Sequence, residues 1–369
     1  MSGKDQSVVS KNALLSTKPG KQILKQGLIK SKGYKLFKQY KEEAENNFPD
    51  FAQRFTNDLL SQIKSDNNPK STQQEFAKEV GDSVFMLEDS EIPIIKSKLE
   101  DVNILKDRVL RILDSNFVKM TFPIFNALFD AASNDSTDKS LRQDMVDGHI
   151  IAIDLSEPMD RIVDKDEDLD YLDDYKLLNP YILKIAREKI ARGGQTVLES
   201  FEDGFVDARL GQNIDVELKS KKWLTLEDMN LSYKKYRAVM GTAGRNMALD
   251  NTSLGEIFYL GMARASECVG CGNEIEDSIK NGYVKIPSWP LYYTRCSNSV
   301  KQGFQSTINH SMTYLDEARL ALELLPDDFT HTPFLDFLFL TVEHYNRYWY
   351  NKLQKSNMWD TFDAKLAGV

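Results

Sequence analysis

Apolar residues recur every three or four positions along most of this chain, which is the spacing of one face of an α-helix. One such stripe consists of Phe48, Phe51, Phe55, Leu59 and Leu60. A second runs through Ile92–Leu113, where Pro93 is tolerated because a residue in the first helical turn has no intrahelical bond to donate. The pattern predicts a mainly α fold.

One short segment departs from the helical spacing. Residues His149–Leu155 are largely apolar and β-branched, which is typical of a short strand. Helical spacing resumes after it and continues to the aromatic-rich segment Phe334–Tyr350. His149–Leu155 is therefore the best strand candidate in an otherwise helical protein.

The length of 369 residues exceeds the usual size of a single hydrophobic core, which favours two lobes. Residues Ser133–Ser140 form a polar break that can close the first lobe. The expected organisation is an N-terminal arm over 1–41, a helical lobe over 42–145 and a second helical lobe over 146–369.

The arm differs from the rest of the chain in charge. It carries ten lysines and one acidic residue, Asp5, whereas the remaining residues have a balance of −18 within the total of −9. Opposite charges on arm and body can attract each other, within one molecule or between neighbours. The arm is therefore a candidate for self-association, for pairing with phosphates, or for a solvated tail.

Composition also indicates in which cellular compartment the protein resides. Three cysteines are too few for a disulfide framework and suggest a reducing environment. The N-terminus lacks an apolar signal segment, and no apolar run approaches membrane-spanning length. These features leave the cytosol or the nucleus, and a cytoplasmic protein without membrane contact is the expectation.

Sequence signatures of common enzymes are absent. The chain has no phosphate-binding loop, no dinucleotide-binding glycine motif, no paired-histidine zinc motif and no nucleophilic serine elbow. Only four histidines are available to act as bases. An enzyme is therefore the less expected class.

Cys268-Val-Gly-Cys271-Gly272 has the form of a zinc knuckle, in which a tight turn brings two sulfurs to one metal. Cys296 and His310 are the candidates for the third and fourth ligands, although they are far apart for a second knuckle. The sequence leaves open a zinc site formed by these four residues, buried free thiols, or a redox dithiol. A zinc-stabilised interaction module would follow from the first.

An acidic stretch follows the strand candidate. Its alternating carboxylates from Asp164 lack the glycine and the glutamate that a calcium loop requires. Asp170, Asp173 and Asp174 resemble, in reversed order, the Asp-rich metal motif of terpenoid synthases, which would imply a metal-dependent helical enzyme. The spacing of Asp250, Ser253 and Glu256 differs from that family's second metal site. The alternatives are a solvated loop and a docking surface for a basic arm.

The densest basic and aromatic cluster lies in the middle of the chain. Lysine and arginine neutralise phosphates, and aromatic rings stack on unpaired bases, so such a mixture suits single-stranded nucleic acid. The alternative is a helix with its tyrosines in the core and its lysines in water. The candidate residues are Lys221, Lys222, Tyr233, Lys234, Lys235, Tyr236, Arg237 and Arg245.

In its layout of arm, two helical lobes and basic groove, the chain resembles the helical nucleoproteins of negative-strand RNA viruses and, in part, filament coat proteins. This resemblance implies a self-assembling coat that binds single-stranded RNA, with residues 1–41 linking subunits and no cofactor. It places the protein in the host cytoplasm or the virion. The leading hypothesis is RNA coating, ahead of the metal-dependent enzyme and the zinc module.

Overall fold

The computed structural model describes residues 31–113, 116–133, 138–164, 171–282, 284, 287–356 and 358–366. This part of the chain is helical with no strand, which confirms the mainly α prediction. The α-helices are α1 (Lys32–Ser65), α2 (Pro69–Val80), α3 (Ile92–Leu99), α4 (Val102–Leu113), α5 (Asn116–Ala132), α6 (Lys139–Asp164), α7 (Leu172–Ile190), α8 (Gln195–Leu218), α9 (Leu226–Ser232), α10 (Lys234–Asn246), α11 (Thr252–Asn281), α12 (Trp289–Ser297), α13 (Val300–Leu322), α14 (Thr332–Gln354) and α15 (Trp359–Leu366). Short 3-10 helices occupy Ser83–Phe85 and Ala191–Gly193.

Local sequence signals fix several helix ends. The side chain of Asn251 accepts a hydrogen bond from the backbone N–H of Leu254 at the start of α11, and Gly282 ends that helix with a left-handed φ of 70°. Thr225 and Asp228 form a reciprocal capping box at the start of α9. These caps set the register of the helices that carry the candidate site.

The chain divides into two compact units. Unit 1 contains Lys38–Phe129 and Ser133–Leu198, and unit 2 contains residues 31–37, Asp130–Ala132 and Glu199–Val369, as far as these are described. The main division thus follows Leu198, whereas the sequence placed it after residue 145.

Unit 1 is built on aromatic residues of α1 and α5. Phe51, Phe55, Phe125 and Phe129 are fully buried. Helix α6 packs along α7, and ion pairs join α1 to α6, among them Arg54 to Asp147 at 2.7 Å. Burial of large aromatic side chains is the main stabilising contribution here.

Unit 2 is organised around α11, which packs against α10, α12, α13 and α14. Phe258 of α11 is fully buried, as are Trp289, Phe304, Phe334 and Phe339 on the helices around it. A helix surrounded on several sides presents buried side chains in most directions. This explains why its sequence has small and apolar residues without one clear stripe.

The strand prediction for His149–Leu155 is wrong, because these residues lie inside α6. Ile150, Ile151 and Ile153 are buried, and His149 Nδ1 lies 2.8 Å from the carbonyl oxygen of Met145, one helical turn earlier. Buried helices and buried strands both give continuous apolar runs, so periodicity alone does not separate them.

The described part of the basic arm is integral to the fold. From Lys32 onward it forms the start of α1, and the rings of Tyr34 and Phe37 pack on Phe337 and Phe334 of α14 in unit 2. Lys38 and Lys41 pair with Glu42 and Glu45 along the same helix. The predicted arm over 1–41 therefore does not extend as a free linker through residues 32–41. The rest of it, residues 1–30, lies outside the described chain.

None of the described helices is both long enough and apolar enough to cross a membrane.

Gly211→Ala is expected to lower the free energy of unfolding by about 1–3 kcal/mol. A Cβ at Gly211 would lie 2.5 Å from the backbone nitrogen of Lys235, where α8 meets α10, and backbone cannot move aside as a side-chain tip can. Urea unfolding of the whole chain measures the change. Gly261→Ala is the control, because its nearest neighbour is the tip of the Phe339 ring at 3.3 Å. Equal losses in both variants would contradict the close approach.

Candidate functional site

Unit 2 contains a group of charged and aromatic side chains contributed by α10–α13 and the residue before α10. We call it the ionic-aromatic cluster. Its members are Tyr233, Tyr236, Arg237, Arg264, Glu267, Trp289, Tyr293, His310 and Tyr314.

Glu267 is the centre of the ionic part. Its side chain is fully buried, and it accepts hydrogen bonds from Arg237 Nη2 at 2.7 Å and from Arg264 Nη1 at 2.7 Å. Burial lowers the pKa of Arg264, but Glu267 outweighs this effect and the pKa is raised. Two guanidinium groups thus share one carboxylate, and Arg264 Nε also lies 2.7 Å from Glu317 Oε2, so the charges of these four side chains balance.

Three aromatic rings contact His310, and two more extend this group of rings. Its ring centroid lies 4.1 Å from that of Trp289, 4.6 Å from that of Tyr314 and 5.8 Å from that of Tyr293. Tyr233 contacts Trp289 and Tyr236 at 5.6 and 5.0 Å. These ring faces offer apolar contact together with the attraction of a π-system for positive charge.

His310 is uncharged at neutral pH. Burial, followed by the nearby charge of Arg264, lowers its pKa to about 4. Its Nε2 has no hydrogen-bond partner in the described structure, and the same holds for Nε1 of the fully buried Trp289. Two polar nitrogens therefore stand unsatisfied beside stacked rings, which is an arrangement that a ligand or water can complete.

The two thiols of the predicted zinc knuckle lie next to this cluster. Cys268 and Cys271 are fully buried on α11, and Tyr233 Oη donates to Cys271 Sγ at 3.7 Å. Burial raises the pKa of Cys268 to about 12 and that of Cys271 well above its usual value. Both thiols are therefore protonated at neutral pH, whereas a metal ligand is a thiolate.

The structure does not assemble the predicted zinc site. The Cys-x-x-Cys segment is one turn of a regular helix, not the tight turn of a knuckle, and Cys296 is exposed on α12. Within the described ranges, no group of three or more His, Cys, Asp and Glu side chains is placed to hold a metal ion. What the structure does bring together are Cys271, Tyr233 and the rings beside His310.

The cations predicted to bind nucleic acid are paired within unit 2. The pairs are Lys221 with Asp228, Lys234 with Asp207, Lys235 with Asp215, Arg237 with Glu267 and Arg245 with Glu256, at 2.6–3.0 Å. Lys222 is exposed and Tyr236 is half-buried. Tyr233 is buried, so its ring is not free to stack on a base. These carboxylates neutralise the positive charge on which phosphate binding would depend.

The acidic residues of the terpenoid-synthase-like motif occupy a different environment, in unit 1. Asp174 is buried at the start of α7 and accepts a hydrogen bond from Arg108 Nε at 2.6 Å, and Lys98 pairs with its other oxygen. The ring of Tyr171 covers the Arg108 guanidinium at 3.3 Å. Asp173 is exposed, and Asp170 lies outside the described chain.

This environment does not suit a divalent metal on Asp174. A doubly charged ion about 4 Å from a guanidinium would be repelled by roughly 8 kcal/mol at an effective dielectric constant of 20. Glu256, whose spacing from Asp250 and Ser253 already differed from that family's second metal site, is likewise paired, with Arg245. The described carboxylates are therefore engaged by side-chain cations and do not converge on a common point.

Arg264, Glu267, Trp289 and Tyr314 were not singled out by the sequence. The available signal was a charged pair three residues apart in the small-residue helix α11, which places Arg264 and Glu267 on one face. The aromatic partners come from α12 and α13, and nothing in the local sequence indicates their convergence.

Structure comparison identifies the fold. The chain is similar to geranylgeranyl pyrophosphate synthetase from Pyrococcus horikoshii, with a TM-score of 0.54 and 13% identity over 77% of this chain and 98% of that one. It is also similar to geranylgeranyl pyrophosphate synthetase from the archaeon Geoglobus acetivorans, with a TM-score of 0.52 and 11% identity over 77% and 99%. The geranylgeranyl pyrophosphate synthase of Lactobacillus brevis gives 0.52 and 12% over 77% and 96%.

No protein-family model matches the sequence, and a search of curated proteins found no match. The similarity to these synthases contradicts the resemblance to viral nucleoproteins and coat proteins, which is wrong. The RNA-coating function and the RNA partner that it implied are wrong as well. At such low identity the comparison shows the fold alone: this chain has the helical fold of the isoprenyl diphosphate synthases.

Proposed function

We propose that this chain acts on isoprenyl diphosphates, as a helical enzyme of the prenyl-transfer class. The observation that carries the proposal is the fold similarity, which covers almost the whole length of three synthases named for a geranylgeranyl diphosphate product. This similarity supports a helical enzyme and not an RNA coat.

The chemistry of the ionic-aromatic cluster supports the same ligand class. An isoprenyl diphosphate has an apolar chain, which aromatic rings such as Tyr314 can contact, and an anionic head, which guanidinium forks bind well. The side chains of Arg237 and Arg264 are 32% and 24% exposed, so they are not sealed away from a ligand.

The class of reaction assigns roles to these groups. In prenyl transfer the allylic carbon–oxygen bond breaks, and the diphosphate leaves with the bonding electron pair. Arg237 and Arg264 would neutralise the departing charge, and the rings of Trp289 and Tyr314 would stabilise positive charge on the carbon chain.

Prenyl diphosphate synthases normally use Mg²⁺ held by Asp-rich motifs. The described acidic residues do not fit that group, because Asp174 is held by Arg108 and Lys98 and Glu256 is held by Arg245. No step of the proposed reaction is therefore assigned to the metal here.

Calorimetric titration of the whole chain with geranylgeranyl diphosphate tests the proposal. We expect micromolar binding, and binding at least about tenfold weaker for geranylgeraniol and for inorganic diphosphate, because each lacks one of the two recognised parts. Release of inorganic diphosphate from shorter isoprenyl diphosphates, measured against a blank without protein, tests turnover. If geranylgeranyl diphosphate did not bind, the proposed ligand class would be wrong.

A further inference from the structure

Most buried carboxylates of the described residues are paired with a basic side chain, which the fold comparison does not predict. Five acidic side chains are buried in the described ranges, and four of them are paired with a lysine or an arginine. The pairs are Asp147 with Arg54, Asp174 with Arg108, Asp215 with Lys235 and Glu267 with Arg237. The fifth, Glu274, accepts a hydrogen bond from the backbone N–H of Trp289 at 2.9 Å.

This pairing differs from the arrangement that a divalent cation requires. Mg²⁺ and similar ions are held by oxygen ligands that converge without intervening positive charge. Here Asp174 has Arg108 and Lys98 on its two oxygens, and Glu267 has a guanidinium on each of its two. A metal could bind only if these ion pairs were broken and the cations that now occupy the carboxylate oxygens, among them the largely buried Arg108, were displaced, which is unfavourable.

We infer that arginine side chains take the place of a divalent metal in this chain. Asp174 and Glu267 are counter-ions that position arginines and do not ligate metal, and Arg237 with Arg264 holds the anionic head of the ligand. The second part, in which Arg237 and Arg264 hold the ligand, rests on the proposed function. The first part, in which Asp174 and Glu267 act as counter-ions, does not.

The geometry around Glu267 suits this role. Glu267 holds both guanidiniums, Glu317 pairs with Arg264 Nε at 2.7 Å, and each guanidinium has further N–H groups beyond those that contact the two carboxylates. Arg237 comes from α10 and Arg264 from α11, so Glu267 fixes two cations from different helices side by side. A diphosphate accepts such paired, planar donors with both charge and directional matching.

Manganese titration of the intact chain, followed by electron paramagnetic resonance, tests the first part. Neither Asp174 nor Glu267 is expected to hold Mn²⁺. The variants Asp174→Asn and Glu267→Gln should therefore bind as much Mn²⁺ as the wild type. Mn²⁺ that persists in both variants is not held by Asp174 or Glu267 and agrees with their role as counter-ions. Mn²⁺ binding that either substitution abolishes, while circular dichroism shows retained helix, would overturn it.

The second part is tested by repeating the geranylgeranyl diphosphate titration with EDTA and with MgCl₂. We expect affinities within about threefold of each other, and at least about tenfold weaker binding for Arg264→Met, since charge-assisted hydrogen bonds carry this much. The exposed Lys222→Met is the matched control and should bind as wild type. Binding that requires MgCl₂, or equal binding by Arg264→Met, would overturn this part. No binding in either buffer would refute the proposed function, while the manganese result would still decide the role of the carboxylates.

Discussion

Asp174→Asn is expected to lower the free energy of unfolding by about 2–3 kcal/mol, because the buried Arg108 loses one of its two carboxylate partners and keeps only Asp107. Asp174 and Arg108 are both largely buried, and Lys98 loses the same partner. The loss comes mainly from Arg108, which stays largely buried with one charged partner fewer, whereas Lys98 is 39% exposed and can be solvated. Urea unfolding of the whole chain, followed by circular dichroism, measures it.

Asp173→Asn provides the matched control for that substitution. Asp173 is the preceding residue, its side chain is half exposed, and it pairs with Lys176 at a distance of 3.7 Å. Exposed pairs of this kind contribute about 0–1 kcal/mol. A loss at Asp174 no larger than that at Asp173 would contradict the structural role of the ion pair.

A fall in pH from 7 to 4 is expected to destabilise unit 1 by about 3 kcal/mol through His149. His149 is fully buried, and burial lowers its pKa to about 4. An unfolded histidine titrates near pH 6.5, so between pH 6.5 and 4 the unfolded chain binds the proton and the folded chain does not. The contribution of neutral His149 to the free energy of unfolding is fully present above pH 6.5. It is lost progressively as the pH falls from 6.5 to 4.

Comparison of wild type with His149→Asn isolates that contribution. The variant should show a shallower decline in unfolding free energy between pH 6.5 and 4. At pH 8 the histidine is neutral in both states, so the difference there gives the cost of the substitution apart from titration. Identical pH dependence in the two proteins would show that His149 is not held neutral in the fold.

The helices were predictable from the sequence because their signals are local. The stripe at Phe48, Phe51 and Phe55 lies in α1, and Ile92–Leu113 contains α3 and α4. The failure at His149–Leu155 has a physical cause, since α6 is buried where these residues lie and Ile150, Ile151 and Ile153 form a nearly continuous apolar run. Burial on several sides removes the periodicity from which a helix is recognised.

The site was predictable only in its parts. Tyr233, Arg237, Cys271 and His310 were all singled out, but as members of two unrelated constellations, one for RNA and one for zinc. The fold brings them together because α10, α12 and α13 all pack on α11. Their chemistry could not be anticipated, since it depends on partners distant in sequence, such as Glu267, which lies thirty residues after Arg237.

The reading of the basic cluster failed for the same reason. Lysines and arginines were counted as free charge, whereas Lys234 and Lys235 pair with Asp207 and Asp215 of α8. Those two aspartates lie on another helix and are distant from the lysines in the sequence. Net charge along a segment therefore overstates the charge that a folded surface offers to phosphates.

A crystal structure of the intact chain with a non-hydrolysable geranylgeranyl diphosphate analogue, prepared in EDTA, tests the central claim most directly. The account predicts that the diphosphate lies within hydrogen-bond distance of Arg237 and Arg264, with the isoprenyl chain against Trp289 and Tyr314. A complex in which the diphosphate lies away from both arginines, or an analogue that does not bind at saturating concentration, would contradict it.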